Sequence, residues 1–372
     1  MRGAKILVMS LPLSFGLILA LASASKSESN QTSIDQHLRS RDFSSTSPLF
    51  RPAVSSSIQA GTFLQALDHT DPNDHSTFTQ RYWVDSRFAK DSGAPVLLHI
   101  CGEASGEYFL DDSVSVWAKI LGARVVYLEH RYYGDSLPFP DFSTAHLKYL
   151  TLKNIIEDLA NFQKSISSQS GWTGKWISVG GSYSGTLSAL YRFMHPELVV
   201  GALAASAPMI AGQGDLMNDP SDIDDLSDEQ NGDRPWAYQA CTTFGFWLAD
   251  GGSASGQLQF PGADLCQLVF KGAPYVDILA YNQNYNEPFL ANLNTNGVTH
   301  PTHILFTYGT NDVWTKLGLS APSNLNAEIQ IRMIGGAGHH FDLNAPSAKD
   351  STGVIAARAE FLRLSQIWLA QP

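Results

Sequence analysis

Short apolar runs that end in glycine-containing turns constrain the fold of this 372-residue chain most strongly. Two of them are "APVLLHICGE" and "ARVVYLEHRYYG", and "KWISVGG", "THILFTYGTND" and "EIQIRMIGGAGHH" repeat the pattern. Between these runs, "TLKNIIEDLANFQKSI" carries apolar residues at helical spacing, and "ARAEFLRLSQIWL" is predicted to be a helix near the C-terminus. Buried strands that alternate with helices indicate an α/β domain with a largely parallel sheet. Function in such sheets gathers at the carboxyl ends of the strands.

The N-terminal segment is typical of a secretory signal peptide. A basic start and an apolar run precede the small-x-small site Ala22–Ala24, so we expect residues 1–24 to be cleaved off. The alternative is an uncleaved membrane anchor. Residues 25–60 are rich in Ser, Thr and Gln and are expected to form a mobile leader or propeptide, with a glycosylation sequon at Asn30. We therefore expect a secreted or lumenal protein, in a lysosome-like or vacuole-like compartment if lumenal.

Charge and cysteine content exclude several classes of protein. The formal net charge of −11 argues against nucleic acid and anionic membrane surfaces as partners. Cys241 and Cys266 could close a loop that stabilises by roughly 3 kcal/mol, while Cys101 lies in an apolar run and is expected to be a buried free thiol. No spacing resembles a zinc site and no glycine loop suits phosphate, so we expect neither a metal nor a cofactor. The oligomeric state stays open.

Ser182 lies between the predicted strand "KWISVGG" and a predicted helix, where a nucleophile would be presented on a tight turn. Gly180 and Gly181 precede it, and Ser184 and Gly185 follow it. Such small neighbours allow the strand and the helix to approach closely. The pattern G-x-S-x-G fails at Ser184, but serine is nearly as small as glycine. Taken alone, Ser182 is as well explained by an ordinary helix cap.

Two further polar sites follow later strands. Asp312 comes just after "HILFTYG", and His339 and His340 lie in a glycine-rich loop after the next strand, where spacing does not choose between them. Serine, acid and histidine in this chain order are typical of α/β-hydrolases. The imidazole takes the serine proton, and the carboxylate fixes the imidazole tautomer. For the two oxyanion donors we expect the backbone N–H groups of Tyr183 and, in the turn "HICGEASG", Gly102.

A long stretch of the sequence, "GGSYSGTLSALYRFMHPELVVGALAASAP", resembles a region of the serine peptidases that include lysosomal prolyl carboxypeptidase, dipeptidyl peptidase II and thymus-specific serine protease. Further matching blocks cover most of residues 62–372 in the same order, among them "EHRYYGDSLPF", "RPWAYQACTTFGFW", "NDVWTKLG" and "GAGHHFDL". The resemblance implies Ser182 as the nucleophile, Asp312 as the acid and His339, the first of the pair, as the base. It also implies cleavage of peptides after proline, and sometimes after alanine.

The same resemblance assigns expectations to other residues. Trp314 falls where the family places an aromatic of the proline pocket. Cys241 and Cys266 fall on the family's bridging pair of cysteines. Independently of the resemblance, Glu103 is a further candidate contact for the substrate, because it lies in the turn that carries Gly102.

The chain departs from this family most in length. Relatives carry a longer helical cap over the active site, whereas here the corresponding interval is Met209–Asp233, 25 residues and mostly acidic. We therefore expect residues 61–372 to form an α/β-hydrolase peptidase domain with a mainly parallel sheet and a vestigial cap region at 209–240. The short interval is compatible with a minimal open-cleft enzyme, with a weakened homologue, or with an incomplete gene model.

The sequence thus predicts a secreted serine peptidase that acts on peptides and, once the signal is removed, does not bind membranes. One alternative is a catalytically impaired homologue with a binding role. The missing cap favours it, and the intact Ser-Asp-His order disfavours it. The other alternative is an esterase of the same fold, which is disfavoured because the matching blocks extend well beyond the triad.

Overall fold

The computed structural model describes residues 57–110, 112–210, 212–214, 233–244, 246–248, 270, 301–319 and 328–372. All of them belong to one compact unit, Ser45–Pro372. The predicted signal peptide, the Asn30 sequon, Cys266 and residues 215–232 of the predicted cap region lie outside the described residues. The reduced cap therefore stays a prediction.

The described residues form one large sheet and one small sheet. In chain order the strands are β1 (Ile58–Ala66), β2 (Thr77–Asp85), β3 (Val96–Ile100), β4 (Arg124–Leu128), β5 (Trp176–Gly181), β6 (Val199–Ala205), β7 (Gly212–Gly214), β8 (Phe246–Leu248), β9 (Ile304–Gly309) and β10 (Ile329–Ile334). Eight of them join in the order β1-β2-β4-β3-β5-β6-β9-β10. Strand β2 runs antiparallel to β1 and β4, and all other neighbouring pairs in this sheet are parallel. Strands β7 and β8 pair in parallel by themselves.

Helices connect the strands. The described helices are α1 (Ser113–Leu121), α2 (Thr144–Leu147), α3 (Leu152–Ser170), α4 (Tyr183–Met194), α5 (Asp233–Gln239) and α6 (Thr352–Ala370). Short 3₁₀ turns occupy Gly106–Phe109 and Val313–Leu317, and a π-helical turn at Ala240–Phe244 follows α5. No helix among the described residues is both long enough and apolar enough to cross a bilayer.

Local sequence explains where the main helices begin and end. Thr151 caps α3, because its hydroxyl accepts a hydrogen bond from the Asn154 N–H at 3.2 Å. The helix ends at Gly171, whose φ of 66° lies in the left-handed region that glycine adopts without strain. The strands and helices predicted from the apolar pattern are confirmed, with α3 running to Ser170. Strand β1 begins at Ile58, so the first paired residues lie inside the stretch predicted to be a leader.

The large sheet is covered on both faces. Alternate residues of β4 point to opposite sides: Val126 packs with α3 and α4, and Tyr127 packs with α1 and α6. This burial on both faces explains why the central strands are apolar throughout. The strand order and the two helical layers confirm the predicted α/β-hydrolase fold. They also place the carboxyl ends of β3, β5, β6 and β9 side by side.

Candidate active site

Ser182 is the single residue between β5 and α4. Its backbone has φ 57° and ψ −131°, a conformation that strains a non-glycine residue by on the order of 1–3 kcal/mol. Its N–H donates a 2.8 Å hydrogen bond to the carbonyl oxygen of Ala205, the last residue of β6. Within the described part of the chain, its hydroxyl makes no capping hydrogen bond to α4. The strained turn therefore presents the hydroxyl without using it as a helix cap.

Small residues around Ser182 allow the close approach of β5 and α4. A Cβ on Gly180 would lie 2.0 Å from the carbonyl oxygen of Ser184, and one on Gly185 would lie 2.9 Å from that of Ala205. The Ser184 hydroxyl donates to the Gly181 carbonyl at 2.7 Å and accepts from the Gly181 N–H at 3.1 Å. Serine therefore fits in place of the usual glycine, because its hydroxyl closes the turn with two hydrogen bonds.

An aspartate and a histidine are joined at the ends of the neighbouring strands. Asp312 follows β9, and its Oδ1 accepts hydrogen bonds from His339 Nδ1 at 2.9 Å and from the Trp314 N–H at 2.9 Å. Burial alone would raise the pKa of Asp312. The hydrogen bond and positive charge of His339, the nearby Ser206 hydroxyl and the Trp314 N–H together hold that pKa below its usual value. Asp312 is thus a carboxylate, and it leaves His339 Nε2 as the nitrogen that can accept a proton.

The structure also distinguishes the two adjacent histidines. The His340 backbone N–H donates to Ser206 Oγ at 2.8 Å, and its ring lies 4.6 Å from the His339 ring. Burial, together with the positive charge of His339, lowers the pKa of His340 to about 4. Asp312 therefore pairs with His339, and His340 is a neutral neighbour of the His339 ring.

The loop that carries the histidines packs against the serine turn. A Cβ on Gly181 would lie 2.7 Å from Leu343 Cδ1 and 3.2 Å from His340 Cγ. In the described residues, no hydrogen bond joins the Ser182 hydroxyl to His339. Such bonds are often long in enzymes without substrate and shorten only in the reacting complex.

The turn after β3 reaches the same region. Gly102 is buried, and a Cβ built on it would lie 3.5 Å from Ser184 Cβ in the first turn of α4. Burial raises the pKa of Glu103, and the positive charge of His339 opposes this effect. Glu103 thus lies within electrostatic range of His339, and Trp314 lies in the 3₁₀ turn directly after Asp312.

The structure describes two of the three cysteines, Cys101 and Cys241. Cys101 is free and fully buried, as predicted, and burial raises the pKa of its thiol well above the usual value. Cys241 is bonded in a disulfide. Its predicted partner, Cys266, lies outside the described residues, so this pairing stays a prediction.

Two residues near the site were missed by the sequence reasoning. Ser206 has a φ of 50° and uses its hydroxyl beside both Asp312 and His340. Glu129 is fully buried and accepts hydrogen bonds from Arg81 Nη2 at 2.6 Å and from the Gly106 N–H at 2.9 Å, which anchors the turn after β3. Their positions in the sequence could have indicated a role, because each directly follows an apolar strand, where functional residues of such sheets lie.

The mainly parallel sheet and the strand-to-helix turn on which Ser182 lies place the chain among the α/β-hydrolases. Within that class, the sequence profile described as serine carboxypeptidase S28 matches residues 65–214 and 213–361. The chain belongs to this family.

Individual relatives match the chain over shorter stretches. The lysosomal Pro-X carboxypeptidase of Homo sapiens is 38% identical over 171 residues, which are 44% of this chain and 34% of that protein. The thymus-specific serine protease of Mus musculus is 37% identical over 156 residues, 41% of this chain and 30% of that protein. The chain thus matches only about a third of the length of these relatives.

Solved structures whose backbones superpose in part on this chain share little sequence with it. An esterase from Pseudomonas putida has a TM-score of 0.46 at 13% identity, and 85% of each chain is covered. Carboxyl esterase 2 from Tuber melanosporum has a TM-score of 0.46 at 10% identity and covers 90% of this chain and 97% of its own. Because both TM-scores lie below 0.5, the fold assignment rests on the sheet itself.

Proposed function

We propose that this chain is a serine peptidase that works through an acyl-enzyme, with Ser182 as the nucleophile, His339 as the base and Asp312 as the acid. One observation carries the proposal. A serine on a strained turn, whose hydroxyl does not cap the helix that follows, lies beside a loop whose histidine is bonded at Nδ1 to a buried carboxylate. Membership of the serine carboxypeptidase S28 family supports the same reaction class.

In the first half of the reaction, Ser182 Oγ attacks the carbonyl carbon of the scissile peptide bond, and His339 Nε2 takes the hydroxyl proton. Asp312 keeps the Nδ1–H of His339 pointing towards its carboxylate and stabilises the imidazolium that forms. The tetrahedral oxyanion is bound by the backbone N–H groups of Tyr183 and Gly102. Loss of one such donor reduces kcat by on the order of 100-fold or more in serine hydrolases.

The first half ends when this intermediate collapses: the C–N bond breaks, His339 gives its proton to the leaving amine, and the acyl group stays on Ser182 Oγ as an ester. In the second half, water attacks the ester carbonyl and His339 Nε2 takes a proton from that water. The second tetrahedral intermediate then collapses: the bond between the acyl carbon and Ser182 Oγ breaks, His339 returns the proton to Ser182 Oγ, and the product leaves with a new carboxyl group. In each half His339 first accepts and then donates a proton while Asp312 holds it, so no cofactor is needed.

The proposed substrates are peptides with proline, or alanine, before the cleaved bond. The printed name of the human relative, a Pro-X carboxypeptidase, supports this preference. We infer that Trp314, in the turn directly after Asp312, is the aromatic residue that contacts the proline ring, and that Glu103, which lies within electrostatic range of His339, contacts the substrate. A secreted or lumenal location agrees with the lysosomal relative and with the N-terminal segment.

Fluorophosphonate labelling of the full chain tests the nucleophile. We expect the wild type to be labelled at Ser182, and we expect Ser182→Ala to lose both labelling and hydrolysis of a proline-containing peptide series. Ser188→Ala is the matched control. It removes a hydroxyl from α4 that is bonded to Ser178 Oγ at 2.8 Å and lies nearly two turns from the nucleophile.

The control should retain labelling and hydrolysis. A folded wild type that is not labelled, or a Ser182→Ala variant that still cleaves, would overturn the proposal. Matched ester and peptide substrates separate a peptidase from an esterase, because a chain that turns over only the esters contradicts the proposed substrate class.

A further inference from the structure

The side chain of Tyr183 connects the serine turn to a distant part of the chain. Tyr183 is the residue after Ser182, and it is fully buried. Its hydroxyl lies 2.9 Å from His130 Nε2, just past β4, and 2.8 Å from Nε2 of Gln239, the last residue of α5. The same hydroxyl is thus shared by two elements that flank the turn.

These hydrogen bonds can point in only one direction. His130 Nδ1 lies 2.6 Å from the Arg131 carbonyl oxygen, which can only accept, so Nδ1 carries the proton. Burial lowers the pKa of His130 to about 4, which keeps the ring neutral and makes Nε2 an acceptor. Tyr183 therefore donates to His130 and accepts from the Gln239 amide N–H.

The amide of Gln239 is used on both sides. Its Oε1 accepts a 2.6 Å hydrogen bond from the Tyr133 hydroxyl, while its Nε2 donates to Tyr183. The chain of hydrogen bonds thus runs from Tyr133 through Gln239 and Tyr183 to His130 without a mismatched partner. Fully satisfied buried networks of this kind hold side chains in a single arrangement.

The segment Asp233–Phe244 also packs on the Tyr183 ring. The ring centroid of Phe244 lies 4.8 Å away in an edge-to-face arrangement, and that of Trp236 lies 5.6 Å away. This segment is in turn fixed to the body of the protein, because Arg234 Nε donates to the Phe142 carbonyl oxygen at 2.6 Å. The last residues of the predicted vestigial cap region, together with the π-helical turn that continues them, therefore hold the residue next to the nucleophile.

We propose that Gln239 is a positioning residue for the reaction, which acts through the Tyr183 side chain to hold the Tyr183 backbone N–H where the oxyanion forms. This inference rests on the proposed function. The physical reason is the strain at Ser182, whose φ of 57° persists only if the surrounding structure enforces it. A fixed Tyr183 side chain enforces it from the next residue.

A double-mutant cycle tests this role in the full chain. Gln239→Met keeps the length of the side chain and removes its amide, and Tyr183→Phe keeps the ring and removes only the hydroxyl. We expect each variant to lower kcat on a proline-containing peptide, and the rate of fluorophosphonate labelling, by on the order of 10-fold, with KM within about two-fold of the wild type. The double variant should be no slower than the slower single variant, because both changes break the same connection.

Tyr191→Phe is the matched control. Tyr191 is also buried on α4 and donates to Gln163 Oε1 at 2.8 Å, but it lies about two turns beyond Tyr183. Its loss should lower the melting temperature and leave kcat unchanged. Multiplicative rate losses in the cycle, or Gln239→Met and Tyr183→Phe variants that only melt earlier, would overturn the inference.

The two proposals fail in different ways. A wild type that is not labelled at Ser182 removes the proposed function and this inference together. A labelled wild type with an equally fast Gln239→Met variant removes the inference alone. If Gln239→Met does not fold, Tyr183→Phe decides alone, and a wild-type labelling rate in that variant rejects the role.

Discussion

His130 should make the folded protein acid-sensitive within a defined pH range. Burial lowers the pKa of its imidazole from the usual 6.5 to about 4, while the Asp158 carboxylate and the Arg131 guanidinium act on it in opposite directions. The rings of Tyr133 and Tyr183 face it at centroid distances of 5.1 and 5.5 Å. The ring is thus neutral when folded at pH values where an exposed histidine would already be protonated.

The sign and size of the effect follow from proton linkage. Between pH 6.5 and pH 4 the unfolded chain binds a proton at His130 that the folded chain does not. His130 therefore leaves the free energy of unfolding undiminished above pH 6.5. Below pH 6.5 that free energy falls as the pH drops, and nearly the full loss is reached at about pH 4. A pKa difference of 6.5 − 4 corresponds to about 3 kcal/mol at 1.36 kcal/mol for each pKa unit.

Urea unfolding followed by tryptophan fluorescence, at pH 6.5 and at pH 4, measures this loss. We expect the wild type to lose about 3 kcal/mol more between the two pH values than His130→Gln, which has no proton to gain. Tyr133→Phe is the matched control. It removes a hydrogen bond from the same network at both pH values and should leave the pH dependence as in the wild type. Equal pH dependence in the wild type and His130→Gln would refute the reasoning.

Two further predictions concern the strained backbone and the predicted vestigial cap. Ser206→Ala and Ser206→Gly both remove the acceptor of the His340 N–H, but only glycine relieves the φ of 50°, so we expect the alanine variant to be less stable by about 1 kcal/mol in urea unfolding. A glycine variant that is the less stable of the two would contradict this. The interval Met209–Asp233 holds only 25 residues, too few for a cap that grips the end of a peptide, so we expect proline-containing peptides of increasing length to be cut at internal sites as well, as mass spectrometry of the products can determine. Strict removal of one or two terminal residues from every peptide would argue against it.

The sheet and the order of the chemical groups could be predicted from the sequence. Central strands such as β3 and β5 are buried on both faces, so their apolar runs are long and bounded by glycine. Ser182 could be found because a strained strand-to-helix turn needs small neighbours, which leave a visible pattern. The start of β1 at Ile58 could not be predicted, because exposed and half-buried positions alternate along this strand and leave no continuous apolar run.

The partners of the site could not be read from spacing. His339 and His340 are adjacent, so their spacing does not distinguish them; the family resemblance favours His339, and in the structure it is His339 that pairs with Asp312. Gln239 lies 56 residues from Tyr183 along the chain, and its amide has no pattern that would mark it as a neighbour. Local sequence predicts elements and their ends, whereas hydrogen bonds between distant elements depend on how the elements pack.

The buried thiol directly after β3 allows local opening of the native protein to be measured. Cys101 is free and fully buried, and it directly precedes Gly102 in the turn that reaches the serine helix. A thiol reagent can modify it only after the C-terminal end of β3 has separated from the residues packed around it. The rate of that modification therefore reports how often the region around Ser182 opens in the native protein when no substrate is bound.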